Sequence, residues 1–197
     1  MSDLGINWRS VLWEFLILFF MPMQIAWAQK VATHDVPECG KAKVQLSNPQ
    51  YLTTSEGIVV VEPPNGWVLD KTKKNPFYFV KQGENYDSAR TLMYIHVERL
   101  EASFRSAVQN DAQSFGKGCD FVDIQDFPKT GLLEEGCESK AQMFSCHRQK
   151  NPYVDLVTKI SIGGLLLNVV LSADNKSQIL EYRTDYDFLL RHLTMVK

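Results

Sequence analysis

Two glycines, Gly163-Gly164, stand between two long apolar runs, Tyr153 to Ile162 and Leu165 to Ser172. No other stretch restricts the fold as much. A glycine dipeptide takes positive φ at both central positions of a type I′ turn, whose twist matches that of an antiparallel hairpin. The two runs therefore predict adjacent antiparallel strands. Leu165 to Leu171 is apolar on both faces except at Asn168. A strand of that kind must be covered on two sides, so it belongs in the middle of a sheet with other elements on its faces.

The rest of the chain supplies those neighbours. Gly57 to Glu62 is a β-branched run ended by the tight turn Pro63-Pro64-Asn65-Gly66, and Trp67-Val68-Leu69 resumes as a short strand. Phe77 to Val80 is another strand, with its turn at Gln82 to Asn85. Thr91 to Leu100 alternates, with Met93, Ile95 and Val97 on one face and Tyr94, His96 and Glu98 on the other. The period then changes. Phe104, Val108, Ala112 and Phe115 recur at helical spacing, Ser103 is placed to cap the helix, and Gly116 and Gly118 end it. Phe121 to Phe127 and Ala141 to His147 read as strands. Ile179, Tyr182, Tyr186, Leu189 and Leu193 form one stripe, which predicts a closing helix of about five turns. The fold class is α+β: a mainly antiparallel sheet covered by one mid-chain helix and a long C-terminal helix.

The first thirty residues carry a different message. A polar opening, Met1 to Ser10, precedes an apolar segment from Val11 to Ala28 that ends on Ala26-Trp27-Ala28. This is the pattern of a secretory signal peptide, with cleavage expected after Ala28. The apolar run is interrupted by Glu14 and Pro22, and is shorter than the roughly 20 residues a membrane span needs. An uncleaved N-terminal anchor is the alternative. The expected organisation is a signal peptide at 1–28, a polar arm at 29–50 and a single domain at 51–197, working in the periplasm or outside the cell. Arg9, Asp3 and Glu14 leave with the signal, so 20 basic and 21 acidic residues remain of the chain's 21 and 23. That balance gives no electrostatic footprint for nucleic acid or for an anionic membrane.

At this point the chain resembles the Mog1p/PsbP-like fold family. Pro64-Asn65-Gly66-Trp67 is similar to that family's Pro-x-Gly-Trp turn. The order of strands, mid-chain helix, meander and closing helix resembles the family's over residues 52–196. The family includes photosystem accessory subunits, a nuclear-transport factor and many exported bacterial proteins. Its characterised members mostly bind partners and do not catalyse, so the resemblance implies a non-catalytic binding module with an unknown protein partner. It carries over no active-site residue. Gly66 is expected to serve the turn and Trp67 the core. An exported inhibitor or immunity-type protein is the alternative, and a small hydrolase or metal-binding protein a further one.

No nucleophile motif, zinc-protease helix, calcium loop or nucleotide-phosphate loop is present, so no catalytic residue and no cofactor is assigned. His96 and Glu98 share a strand face about 7 Å apart at a rise near 3.3 Å per residue. They are the candidates for a metal site, against a solvated or helix-covered polar face. His34-Asp35 reads as an exposed polar pair. Asn175-Lys176-Ser177 matches a glycosylation sequon, but its place before the last helix favours capping.

All four cysteines, Cys39, Cys119, Cys137 and Cys146, lie beyond the signal, and an even count in an exported chain favours disulfides. If 137–146 runs extended, Cys137 and Cys146 stand about 30 Å apart, against the roughly 4.4–6.8 Å a disulfide tolerates. A hairpin turning near Thr130 to Glu134 places residues whose numbers sum to about 265 opposite each other, which selects Cys119–Cys146. Cys39 then pairs with Cys137, stapling the arm to the domain. A register shift of two would favour Cys119–Cys137 with Cys39–Cys146 instead.

Overall fold

The computed structural model describes residues 46–115, 117–128 and 138–196. In chain order the elements are β1 (Gln50–Thr53), β2 (Ile58–Val61), β3 (Trp67–Asp70), β4 (Phe77–Lys81), β5 (Thr91–Arg99), α1 (Phe104–Phe115), β6 (Phe121–Asp126) and β7 (Glu138–His147). There follow β8 (Tyr153–Ile162), β9 (Leu165–Ala173), α2 (Lys176–Glu181), α3 (Arg183–Arg191) and β10 (Leu193–Val196). The order β3-β4-β5-β9-β8-β7-β6 makes a seven-stranded sheet, and β1-β2-β10 a smaller one. Every pairing is antiparallel.

The hairpin at Gly163-Gly164 has φ of 57° and 84° at the two glycines, and Ile162 faces Leu165. Its second strand, β9, is the middle strand of the large sheet, flanked by β5 and β8. One face of that sheet carries Met93, Ile95, Val97, Leu167, Val169 and Leu171 into the main core. Ile179, Tyr186, Leu189 and Leu190 of the closing helices cover them, together with Leu52, Val59, Val61 and Met195 of the small sheet. The Tyr186 hydroxyl, deep in this layer, donates to the Val169 carbonyl at 2.7 Å. The other face holds a smaller cluster of Phe144, Val157 and Val170, onto which Phe115 of α1 stacks at 4.4 Å from Phe144.

Helix α1 spans the predicted residues, and Ser103 Oγ accepts from the Ser106 amide at 3.2 Å as its N-terminal cap. The closing helix departs from expectation. It divides at Tyr182 (φ −94°, ψ 12°) into α2 and α3, and Leu193 lies on a strand. Residues 193–196 pair with Val61 to Ile58 because that β-branched strand needs a second neighbour, and Met195 is buried there. Strand β1 is a further departure: Gln50, the end of the expected polar arm, opens a strand that continues into the domain. Its Leu52 is 1% exposed. Among the described residues no helix is long and apolar enough to cross a membrane. The signal segment, His34-Asp35, the Thr130–Glu134 turn, Cys39 and Cys137 lie outside the described residues.

Cys119 and Cys146 are joined, with Cα atoms 5.5 Å apart. The register that brings them together differs from the expected one. Phe121 faces His147 and Val122 faces Cys146, a sum of 268 and not 265. Cys119 therefore lies two residues before β6 and reaches diagonally to Cys146. Gly118 takes the positive φ of 88° just ahead of it, and the Asp120 amide donates to the His147 carbonyl at 2.7 Å.

Candidate binding groove

Pro63 and Pro64 have no amide hydrogen, so they end the β2 ladder and start a turn. The Trp67 amide closes that turn on the Pro64 carbonyl at 3.0 Å, and Gly66 supplies the φ of +79° that a side chain would resist. Strand alternation then sends Trp67 inward, where it is 3% exposed. Its indole N–H still needs an acceptor, because a buried donor left without one is costly. Asp185, in the first turn of α3, provides it: Trp67 Nε1 donates to Asp185 Oδ2 at 2.7 Å. Lys81 Nζ meets the same oxygen at 3.1 Å. The ammonium also lies 4.3 Å from the Trp67 ring and 4.4 Å from the Tyr182 ring, and these two rings meet edge to face at 5.7 Å. An indole, a phenol, a carboxylate and an ammonium thus form one interlocked cage joining β3, β4 and the α2–α3 junction.

Outside the cage a cleft of about 470 Å³ runs between the Pro63–Trp67 turn and α3, bordered also by Asn48, Glu62, Thr184, Phe188 and Arg191. Its charged groups are already held by the framework. Asp185 is held by the cage. Glu62 Oε2 accepts from the Ser47 amide at 2.9 Å, and Arg191 Nε donates to the Asp187 carbonyl at 3.3 Å. Phe188 stacks on His192 at 3.8 Å, which stiffens the helical wall. The result is a preshaped, mixed polar and aromatic surface whose ionic groups position the walls.

The polar face of β5 carries a chain of side-chain hydrogen bonds. Glu98 Oε1 accepts from Asn168 Nδ2 at 2.9 Å, and Asn168 Oδ1 in turn accepts from the buried Lys159 ammonium. His96 stands opposite Asn168 in the register, yet no three His, Cys, Asp or Glu side chains gather to hold a metal among the described residues. Glu98 also borders a second cleft of about 390 Å³ with Glu101, Ala107, Asn110 and Leu166. On the same face burial pushes the Tyr94 phenol up, and the neighbouring Asp155 adds to the effect. His147 points away from the disulfide and stacks on Phe121 at 4.0 Å. Asn175 is a helix cap: its Oδ1 accepts from the Gln178 amide at 3.1 Å.

The sequence marked Trp67 and Gly66 but assigned no binding residue. Asp185 escaped it because it meets Trp67 and Lys81 only through contacts 118 and 104 residues apart, while Lys81, opposite Trp67 in the β3–β4 pairing, bears no sequence mark of a cation over a ring. The aromatic at 182 was legible as part of a helical stripe, but its role at a helix break was not.

A closing helical layer on a large antiparallel sheet, with a tight Pro–Asn–Gly–Trp turn beneath it, is the Mog1p/PsbP-like fold. The chain is similar to the PsbP protein (CyanoP) of Synechocystis sp. PCC 6803, at 13% identity and TM-score 0.51, over 81% of this chain and 99% of that one. The Ran-binding protein Mog1p of Saccharomyces cerevisiae aligns at 10% identity and TM-score 0.43, over 73% of this chain and 86% of its own. No protein-family profile and no curated protein sequence matches the chain.

Proposed function

We propose that the protein is an exported, non-catalytic accessory module that binds a partner protein through the Pro63–Trp67 groove. The observation that carries this reading is the state of the groove's ionisable groups. Asp185, Glu62 and Arg191 are engaged with the chain's own atoms. A general acid or base must instead be poised to exchange a proton with a substrate. The groove offers fixed shape, aromatic edges and backbone groups, which suit recognition of a polypeptide segment.

Export is part of the proposal. The joined pair Cys119–Cys146 supports it, since structural disulfides persist in oxidising compartments and are rare in the cytosol. The native protein should then begin at Gln29 by mass spectrometry, whereas an intact Met1 on a membrane-bound chain would replace release with anchoring. The groove is tested by placing a photo-crosslinking residue at Asn65 or Arg191 and, as control, at exposed Lys150. Groove positions are expected to capture one protein of discrete mass in the cell envelope, and the control none. Equal capture from all three positions, or none from any, would remove the groove from the account.

A further inference from the structure

We propose that the outer edge of β6 is a second docking site, which adds an extended segment of alternating basic and apolar residues from a partner protein to the large sheet. It stands apart from the groove, which lies by β3 at the opposite edge, six strand spacings or roughly 29 Å away.

Among the described residues β6 pairs with β7 alone. The ladder shows which backbone groups remain outward. The Phe127 amide donates to the Ala141 carbonyl at 3.0 Å, in the same register that sets Gln125 against Met143. In an antiparallel pair the bonded positions alternate, so Phe121, Asp123 and Gln125 direct their amides to β7. Val122, Ile124 and Asp126 direct theirs outward. The other edge is less available. In β3 the outward positions are Trp67, whose amide is used on Pro64, and Leu69.

The side chains specify what would be added. On the face of the smaller cluster, half-buried Val122 and Ile124, 38% exposed, continue the apolar surface of Phe115 and Phe144 out to the edge. On the other face stands Asp123, exposed beside Phe121, which is 61% exposed; its Oδ2 accepts from the neutral Gln125 side-chain amide at 2.8 Å, a bond that leaves its negative charge in place. Asp120 adds a further exposed carboxylate. Asp126 is already engaged by Lys140 at 2.6 Å and Gln142 at 3.0 Å. An incoming strand would therefore set apolar residues beside Val122 and Ile124, and Lys or Arg beside Asp123. Opposite charges across a strand pair are favourable and like charges are not. A second copy of β6 fits poorly for that reason, since its own Asp120, Asp123 and Asp126 would face the same three. Strand addition of this kind takes affinity from the backbone and specificity from alternate side chains.

The test uses the purified chain and the peptide acetyl-Lys-Val-Lys-Ile-Lys-Val-amide, with a Glu-for-Lys version as comparison. Residue-resolved hydrogen exchange should show the Val122, Ile124 and Asp126 amides slowed at least about tenfold by the basic peptide. Those of Phe121, Asp123 and Gln125 should change little, and the acidic peptide should slow none. Ile124→Pro removes an outward amide without touching the β7 ladder and should abolish binding. Should that variant fail to fold, Asp123→Lys serves: it should weaken the basic peptide about tenfold and favour the acidic one. The proposal is overturned if the three amides are already protected in the dilute chain, or if their protection grows with protein concentration alone. It is equally overturned if neither peptide protects them, or if Asp123→Lys leaves the preference unchanged.

Discussion

Asp155 on β8 is 4% exposed, and its Oδ1 has no hydrogen-bond partner among the described residues. The groups around it are the phenols of Tyr94 on β5 and Tyr153 on its own strand, Phe144 on β7 and Ser172 on β9, with the Tyr78 phenol beyond Tyr94. None of these is a cation. Burial consequently pushes its carboxyl up to about 6, against the partial opposing pull of the Ser172 hydroxyl. The fold thus prefers the protonated form more strongly than the unfolded chain does. Stability from this site is full below about pH 4 and is lost as the pH rises through 6. A shift of about two units corresponds to about 3 kcal/mol. Asp155→Asn is expected to stabilise the protein by up to that amount at pH 8 and hardly at all at pH 4, as read by urea denaturation at the two pH values. An equal effect at both would mean that the carboxyl is not protonated in the fold. The Trp67 cage gives a second residue-scale expectation. Lys81→Met keeps the stem but removes the cation from between two rings, and should cost about 0.5–2 kcal/mol, the range for a partly desolvated cation–π contact. A change in the intrinsic tryptophan emission should accompany it.

At the scale of elements, the closing helices carry the main core. Leu189 is 0% exposed and packs against the sheet with Ile179, Tyr186 and Leu190. Leu189→Ala should cost about 2–5 kcal/mol in chemical denaturation. A loss below about 0.5 kcal/mol would mean that α3 does not hold its place in solution. The strands of the large sheet were legible because their signals are local. Residues 93, 95 and 97 alternate with 94, 96 and 98 whatever lies beside them, and Gly163-Gly164 dictates its own turn. The end of the helix was not legible. Leu193 continues the apolar spacing of Tyr182, Tyr186 and Leu189, and only the distant strand 58–61 converts it to a β position. Hairpin register behaved similarly. Cys119 and Cys146 could be matched from spacing, while the three-residue offset depends on how the chain leaves Gly118.

At the scale of the whole molecule, the Cys119–Cys146 link closes a loop with a sequence separation of 27. Loop-closure entropy alone gives such a link about 3–4 kcal/mol. Cys119→Ser with Cys146→Ser should lower stability by that order while leaving the fold recognisable by circular dichroism. A double variant as stable as the parent would show that β6 and the end of α1 are secured by packing alone. The groove reads as a product of the same global arrangement. Its turn could be recognised in four consecutive residues, but its walls come from positions near 48, 62 and 65 and from 184–191. No window along the chain contains them together.

The pairing of β10 with β2 has a bearing on the order of folding. Residues 193–196 are hydrogen-bonded to residues 58–61, so a strand made early waits for one made more than a hundred residues later. Until then Val59 and Val61 have no complete cover, and the layer they share with Leu52 and Met195 cannot form. Contacts of such long range are slow to find, because the chain between must be ordered before they reward it. In a polypeptide emerging from the ribosome the small-sheet layer would therefore remain incomplete until residues 193–196 were available. Delayed closure of that sort leaves the Val59–Val61 strand among the last parts of the core to be sealed, although it is among the first to be made.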